Sequence, residues 1–342
     1  MTIGIQVQRT ITRNVVLSPK IQLTVGEVFA DASLTYLCRA DSSAFFELKE
    51  AMESDLEYSG KNTADGAGSA ATESRLITQQ SSGALNTRLD DFLAGYVFAM
   101  LMGQDSFTPG TPNMHVFTFK DTGDPAVLTN VYTEDGGGMK RKWSDLALTN
   151  LVLSGTDKGS IMAKATFLGL GTVTADITNA MATLPTLPTA QYLYGSDSTV
   201  SIGPVGDLVS FNPRVLSWEA TFDHACELFR ATGGGTKAYF VRQGNPTYKL
   251  KLVIAAIASG DVQDWSTAKT PLGITINVAS GATTLLISYA NVILPEVSLG
   301  GQDKYIAFTV ELDENNILQP SGGGAPLTVT VGNTDPAYLT AV

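Results

Sequence analysis

From Ser160 to Phe167 apolar and polar positions alternate without a break. Ile161, Ala163, Ala165 and Phe167 fall on one side, and Ser160, Met162, Lys164 and Thr166 on the other. A period of two is the mark of a strand with one covered face. The stretch before it, KRKWSDLALTNLVLSG, alternates at Leu146 and Leu148, then moves its apolar positions to Leu151 and Leu153 after Asn150. Such a shift fits a bulge or a change of covered face. Between the two arms lies Gly-Thr-Asp-Lys-Gly, where Gly155 and Gly159 supply the backbone freedom of a turn. The pattern predicts one long hairpin over residues 140–171, the frame of a β-sandwich.

The same alternation returns later. Trp218, Ala220 and Phe222 are interleaved with Glu219, Thr221 and Asp223; Tyr248, Leu250, Leu252 and Ile254 with Lys249 and Lys251; Ile306, Phe308, Val310 and Leu312 with Thr309 and Glu311. Shorter strands are expected at Ile3, Ile5 and Val7 and at Ile21, Leu23 and Val25, and a turn then a strand over 109–119 puts His115, Phe117 and Phe119 on one face. Leu89, Phe92, Leu93, Tyr96, Val97 and Met100 recur at helical spacing instead. They predict a helix over 88–102, capped by Asn86 or Thr87, ended by Gly103 and covered on most sides because Ala94, Phe98 and Ala99 are apolar too. Phe45, Leu48 and Met52 suggest a short helix over 41–52 with Asp41 or Ser42 as cap. Residues 59–88 are small and polar, with Leu76, Ile77 and Leu85 alone for burial, and read as a long loop that is either disordered in isolation or ordered by a partner. The fold class is mainly β with a flanking α-helix.

A chain of 342 residues has room for two domains. The prolines in Thr183-Leu-Pro-Thr-Leu-Pro-Thr189 favour extended backbone and place a linker at 183–191, between a first β domain over 1–182 and a second over 192–320. Residues 321–342 read as a tail with one short strand. A GGG-x-K stretch at 136–140 and again at 233–237, and aromatic-led strands at Trp143 and Trp218, suggest duplication of one fold. A net charge of -11 argues against a protein that grips nucleic acid, since phosphate contacts need clustered Lys and Arg. Cys38 and Cys226 make no disulfide framework. Residues 1–16 lack the apolar core of a signal peptide and the run 92–102 is too short to span a bilayer, so a soluble product of the cytosol is expected.

Catalytic chemistry finds little to work with. His115 and His224 are the only histidines, and His224 with Cys226 makes two ligands without companions. Asp90 and Asp91 sit in a first helical turn, where the helix dipole favours them, and Glu311 with Asp313 is an ordinary acidic pair. Neither GGG-x-K stretch has the spacing of a phosphate loop. No catalytic residue, cofactor site or metal site is expected, and the protein reads as a non-enzyme.

The order of features resembles the tail tube proteins of long-tailed bacteriophages. The resemblance is carried by His115-Val-Phe-Thr-Phe119, the bend at 136–138, Trp143-Ser-Asp-Leu-Ala-Leu-Thr-Asn150 and Ala163-Lys-Ala-Thr-Phe-Leu-Gly169. It continues through Arg214-Val-Leu-Ser-Trp-Glu-Ala-Thr-Phe222, Tyr248-Lys-Leu-Lys-Leu252 and Ile306-Ala-Phe-Thr-Val-Glu-Leu312. It implies a β-sandwich whose sheets join across subunits into a barrel, in rings stacked head to tail and bound to other tail proteins. The two-part reading favours a trimer imitating a hexameric ring. DNA would pass through a channel lined by acidic residues without specific binding, and no membrane is involved. Candidate assembly residues are Lys61, Asp65, Glu73 and Arg75 in the polar loop, Arg9 and Arg13 in the N-terminal arm, and Asp157 and Lys158 in the hairpin turn. The charges up to Glu27, Arg9, Arg13 and Lys20, are basic, while those after Lys304 are acidic, which suits head-to-tail contact. Competing readings are a ring at the end of the same tail, such as a hub or distal tail protein, and a carbohydrate-binding or adhesin-like sandwich. The last needs exposed tryptophans among Trp143, Trp218 and Trp265.

Overall fold

The computed structural model describes residues 14–18, 21–22, 25–39, 44–55, 73–120, 124–134, 140–175, 181, 183–186, 191–211, 214–230, 236–256, 261–302 and 305–339. The strands of the first half are β1 (Asn14–Leu17), β2 (Tyr36–Arg39), β3 (Phe45–Asp55), β4 (Glu73–Arg88), β5 (Gly103–Thr108), β6 (Asn113–Phe119), β7 (Leu128–Glu134), β8 (Lys140–Thr156) and β9 (Met162–Ala175), with helix α1 (Asp91–Met102) after β4. The second half holds β10 (Ser198–Pro204), β11 (Val209–Ser210), β12 (Val215–Asp223), β13 (Glu227–Phe229), β14 (Phe240–Arg242), β15 (Thr247–Ala255), helix α2 (Asp261–Ala268), β16 (Pro271–Ser280), β17 (Thr283–Ile293), β18 (Ser298–Gln302), β19 (Tyr305–Leu312) and β20 (Leu327–Asn333). The fold is mainly β, as the alternation predicts.

The predicted hairpin is β8 and β9, and it is the hinge of the larger sheet. Register shifts fall between Ser144 and Leu146 and between Leu148 and Asn150, where the apolar positions change parity. Along one edge β8 pairs β9 for most of its length; along the other it pairs β7 up to Ala147 and β12 from Asn150 onward. Eight strands thus lie side by side, all antiparallel, in the order β3-β4-β9-β8-β12-β15-β19-β18. The first four come from the first half and the last four from the second. In each half a strand of this sheet leads to the helix, then to a hairpin of the other sheet (β5-β6 or β16-β17), then back. The second sheet runs β11-β10-β16-β17-β20-β6-β5, so β20 joins strands of both halves.

Helix α1 lies between the two layers. Phe98 stacks on Phe117 of β6 at 6.3 Å and meets Phe222 of β12 edge-on at 5.3 Å, so one ring touches both sheets. From Leu93 to Met102 every residue of α1 is buried. Gly103 ends it in the left-handed conformation, φ 76.

Several expectations are corrected. The cap of α1 is Asp90, whose carboxylate accepts the Leu93 N–H at 2.8 Å, and not Asn86 or Thr87, which belong to β4. Residues 45–55 form strand β3, not a helix: Phe46 and Leu48 alternate with Glu47 and Lys49, and pairing with β4 outweighs the helical spacing of Phe45, Leu48 and Met52. The loop expected over 59–88 ends early, because residues 73–88 are strand β4. Its small residues are there for fit: a side chain on Gly83 would overlap the Phe46 ring, and Ser81 lies buried against Gly169. Val25 and Gly26 sit in a turn, with Gly26 at φ 84 and its N–H given to Asp145, so Val25 is not part of the strand expected with Ile21; Leu23 lies outside the described residues. The tail's strand β20 is central to its sheet, and Tyr338 beyond it packs over Gly95 of α1. Leu184 of the expected linker packs against a cluster of Val16, Leu34, Leu37, Tyr132 and Met181. Residues 3–7, 136–138 and 233–235 lie outside the described residues. Trp143 and Trp218, paired as matching features in the sequence, occupy β8 and β12, which are neighbours in one sheet.

Candidate functional site

One face of the eight-stranded row packs on α1 and the second sheet; the other carries the residues of opposite parity. On β12, β15 and β19 the inward positions Trp218, Ala220, Phe222, Leu250, Leu252, Ile254, Val310 and Leu312 are buried. The outward ones form rows across the sheet. Glu311 faces Lys251, which faces Glu219, then Ser154 and Met162; Lys249 faces Thr221, then Val152, Lys164 and Asn86. Lys251 Nζ reaches the Glu311 carboxylate at 2.6 Å, and that hydrogen bond raises the lysine's pKa. Asn150 donates to Asp223 at 3.2 Å. On β3, Lys49 meets Glu47 at 2.9 Å. This open face is polar and carries both signs in alternation.

The row ends in two free edges. Among the described residues β18 pairs only β19, and β3 pairs only β4. Such edges present unpaired N–H and C=O groups and are templates for joining another chain. Leu299 on β18 and Ile306 on β19 are 60% and 62% exposed.

The candidate assembly residues divide by end. Asp157 and Lys158 are exposed in the turn joining β8 to β9. Arg88 of β4 pairs Met162 beside that turn, while Glu73 and Arg75 pair Asp55 and Glu53 at the far end of a 16-residue strand, roughly 50 Å away. The turn and the Glu73–Arg75 end of β4 therefore lie at opposite ends. Arg9, Arg13, Lys61 and Asp65 lie outside the described residues. The edge strands escaped the sequence reading. For β3 a signal was present, the alternation of Phe46 and Leu48 with Glu47 and Lys49; β18, Ser-Leu-Gly-Gly-Gln, carries none.

The groups considered for chemistry are occupied structurally. His224 donates its Nδ1–H to the Leu101 carbonyl at 2.8 Å, and burial lowers its pKa. His115 lies against Asp105 at 3.1 Å, fully buried. Asp90 accepts from the Tyr36 hydroxyl and the Leu93 amide; burial pushes it up to about 6 against the pull of those bonds. Among the described residues no group of three His, Cys, Asp or Glu is placed to hold a metal ion, and no helix is long and apolar enough to cross a membrane. Trp143 and Trp218 are buried, and Trp265 of α2 packs on Phe211 at 5.9 Å, so the three tryptophans form no exposed platform.

Compared with known families, residues 22–331 match the model described as phage tail tube protein. No curated protein matches the chain.

Proposed function

Because the chain belongs to the phage tail tube protein family, and so is a structural component of the virion tail, we propose that three copies close into one ring of a hollow tube through which DNA passes. The observation that carries this reading is the repeated strand order. The first half contributes β3-β4-β9-β8 and the second β12-β15-β19-β18, the same hairpin order twice, each interrupted by a helix and a hairpin of the other sheet. The leading strands and the helices are offset by one and the same length of chain, Phe45 to Val215 and Asp91 to Asp261. This supports two tandem copies of one fold. Inside the chain the last strand of the first copy, β8, pairs the first strand of the second, β12. Repeating that step joins β18 of one chain to β3 of the next, a heterologous contact that fills both free edges when the rotation closes.

The number of copies follows from width. With eight strands per copy and about 4.8 Å between strands, three copies give a wall roughly 115 Å around and roughly 37 Å across before strand tilt widens it. Six copies double both. The smaller bore fits one duplex. Its lining is the open face, where Lys164, Lys249 and Lys251 stand among Glu219, Asp223 and Glu311; among the described residues no basic stripe runs along it to hold phosphates by counterion release. With the turn of Asp157 and Lys158 at one end and the β3-β4 arm at the other, rings stack head to tail through the candidate residues, and the end rings meet other tail proteins.

The test is a cross-link across the proposed junction. In the variant Glu47→Cys plus Gly300→Cys, a short bismaleimide is expected to join chains into covalent species no larger than three. Species of six would contradict the trimer, and monomers alone, in a preparation that forms rings, would contradict the β18–β3 contact.

A further inference from the structure

The second sheet ends in two edges, as the eight-stranded row does. Among the described residues β11 pairs only β10, and β5 pairs only β6. Strands of the second half stand at the β11 end and strands of the first half at the β5 end, the same sense as β18 and β3 in the row. At the first of these edges the chain turns tightly between β10 and β11. The Asp207 N–H bonds to the Pro204 carbonyl at 2.8 Å, and Gly206 inside the turn holds φ 93, which glycine adopts freely. A side chain on Gly203 would overlap the Asp207 carbonyl, so the turn lies close against the strand it leaves. Its tip is apolar. Val205 is 61% exposed, Leu208 42% and Val209 54%, with the exposed Asp207 among them.

Beside the other edge lies a cleft of about 490 Å³, within the size range of pockets that take a small ligand and so roomy enough for the side chains of one turn. Ile21, Val127 and Leu339 make its apolar wall, Gln104 of β5 a polar rim, and Lys120 its positive charge. The carboxylate at its floor, Asp105, is engaged by His115 at 3.1 Å and by the Tyr338 N–H at 3.2 Å. Among the described residues neither Lys120 nor Asp207 is in an ion pair. An apolar tip with a spare negative charge thus stands at one edge, and an apolar cleft with a spare positive charge at the other. They cannot meet within one chain, because β10 and β5 are five strands apart in the sheet, roughly 24 Å at about 4.8 Å each.

We propose that the β10–β11 turn of one copy docks into the cleft beside β5 of the next copy in the ring, with Val205 against Ile21, Val127 and Leu339 and the Asp207 carboxylate on Lys120. The inference rests on the ring reading above, in which the second half of one chain stands beside the first half of the next; the second sheet carries its tip and its cleft in that same sense. The two also stand at matching levels of the halves. Gly203 pairs Gly273 beside the start of β16, and Gly273 is offset from Gly103, at the start of β5, by the same length of chain as one helix from the other. The contact is heterologous, tip to cleft, and closes with the ring. It adds to the pairing of strand edges a buried apolar anchor and a charge pair that sets register and rejects a wrong neighbour.

The experiment reverses the two charges in the full-length protein. Asp207→Lys and Lys120→Asp are each expected to keep the wild-type circular dichroism spectrum and to need at least tenfold more protein to form rings. The double variant, with the signs exchanged, is expected to form rings within about threefold of the wild-type concentration. Single variants that form rings at the wild-type concentration, or a double variant no better than the singles, overturn the inference. In parallel, Asp207→Cys plus Lys120→Cys is treated with a short bismaleimide, and the expected products join position 207 of one chain to position 120 of another in species no larger than three. A link within one chain, species above three while the Glu47→Cys plus Gly300→Cys link stops at three, or no link while that one forms, overturns this inference and leaves the ring reading standing. A wild-type protein that forms no rings at any concentration overturns the ring reading and this inference with it.

Discussion

Asp90 caps α1 and at the same time accepts the Tyr36 hydroxyl, tying the helix to strand β2. Burial raises its pKa from 3.8 to about 6. A carboxyl whose folded pKa lies above its unfolded value binds its proton more tightly when folded, so its contribution to stability is full below about pH 4 and is lost as pH rises to about 6. The loss is on the order of 3 kcal/mol at 1.36 kcal/mol per pKa unit. Asn caps a helix about as well as Asp, so Asp90→Asn is expected to gain stability over the wild type as pH rises from 4 to 6.5, read from urea midpoints. A constant difference across that range would contradict the assignment. Phe98 is the other residue on which much rests. It touches both sheets, and Phe98→Ala is expected to cost about 3–5 kcal/mol, the range for emptying an aromatic site in a core. A loss below 1 kcal/mol in the same measurement would mean that the layers do not meet at this ring.

Among the elements, the long hairpin β8-β9 was legible because its covered face alternates cleanly, and even its bulges left a trace in the shift from Leu148 to Leu151. Strand β4 was not. Its buried positions are Ser81, Gly83, Leu85 and Thr87, and in composition such a segment looks like a loop. The smallness answers to the Phe46 ring lying over Gly83, a contact that no local pattern announces. Gly83→Val is therefore expected to push that ring aside and destabilise the protein by about 1–3 kcal/mol, as overpacking does; an unchanged thermal midpoint would show that β3 is free to give way. Strand β3 was misread for the opposite reason, since Phe45, Leu48 and Met52 have helical spacing while the partner strand that decides the matter lies beyond them in the sequence. The candidate site suffered most. A free edge is a property of pairing, and neither β3 nor β18 differs in composition from a strand that has two neighbours.

For the whole molecule, two observations bear on assembly. The chain repeats one strand order, and its two halves join through a β8–β12 pairing, while β18 and β3 each have one open edge among the described residues. The family match over residues 22–331 makes the protein a tail tube component; the proposed ring of three rests on the open edges and on the width of the wall they would close. The resemblance implied an acidic channel; the open face proposed here as its lining alternates Lys249 and Lys251 with Glu219 and Glu311. If this face lines the proposed channel, DNA would meet neither sign in excess, and its passage would depend on balance and not on repulsion. The central claim is the closed ring of three. It is tested most directly by measuring the mass of single rings, by native mass spectrometry of the purified protein across a concentration series, with negative-stain images of the same samples. The account predicts hollow rings of three chains that stack into tubes as concentration rises. Rings of six chains, or a monomer at every concentration, would contradict it.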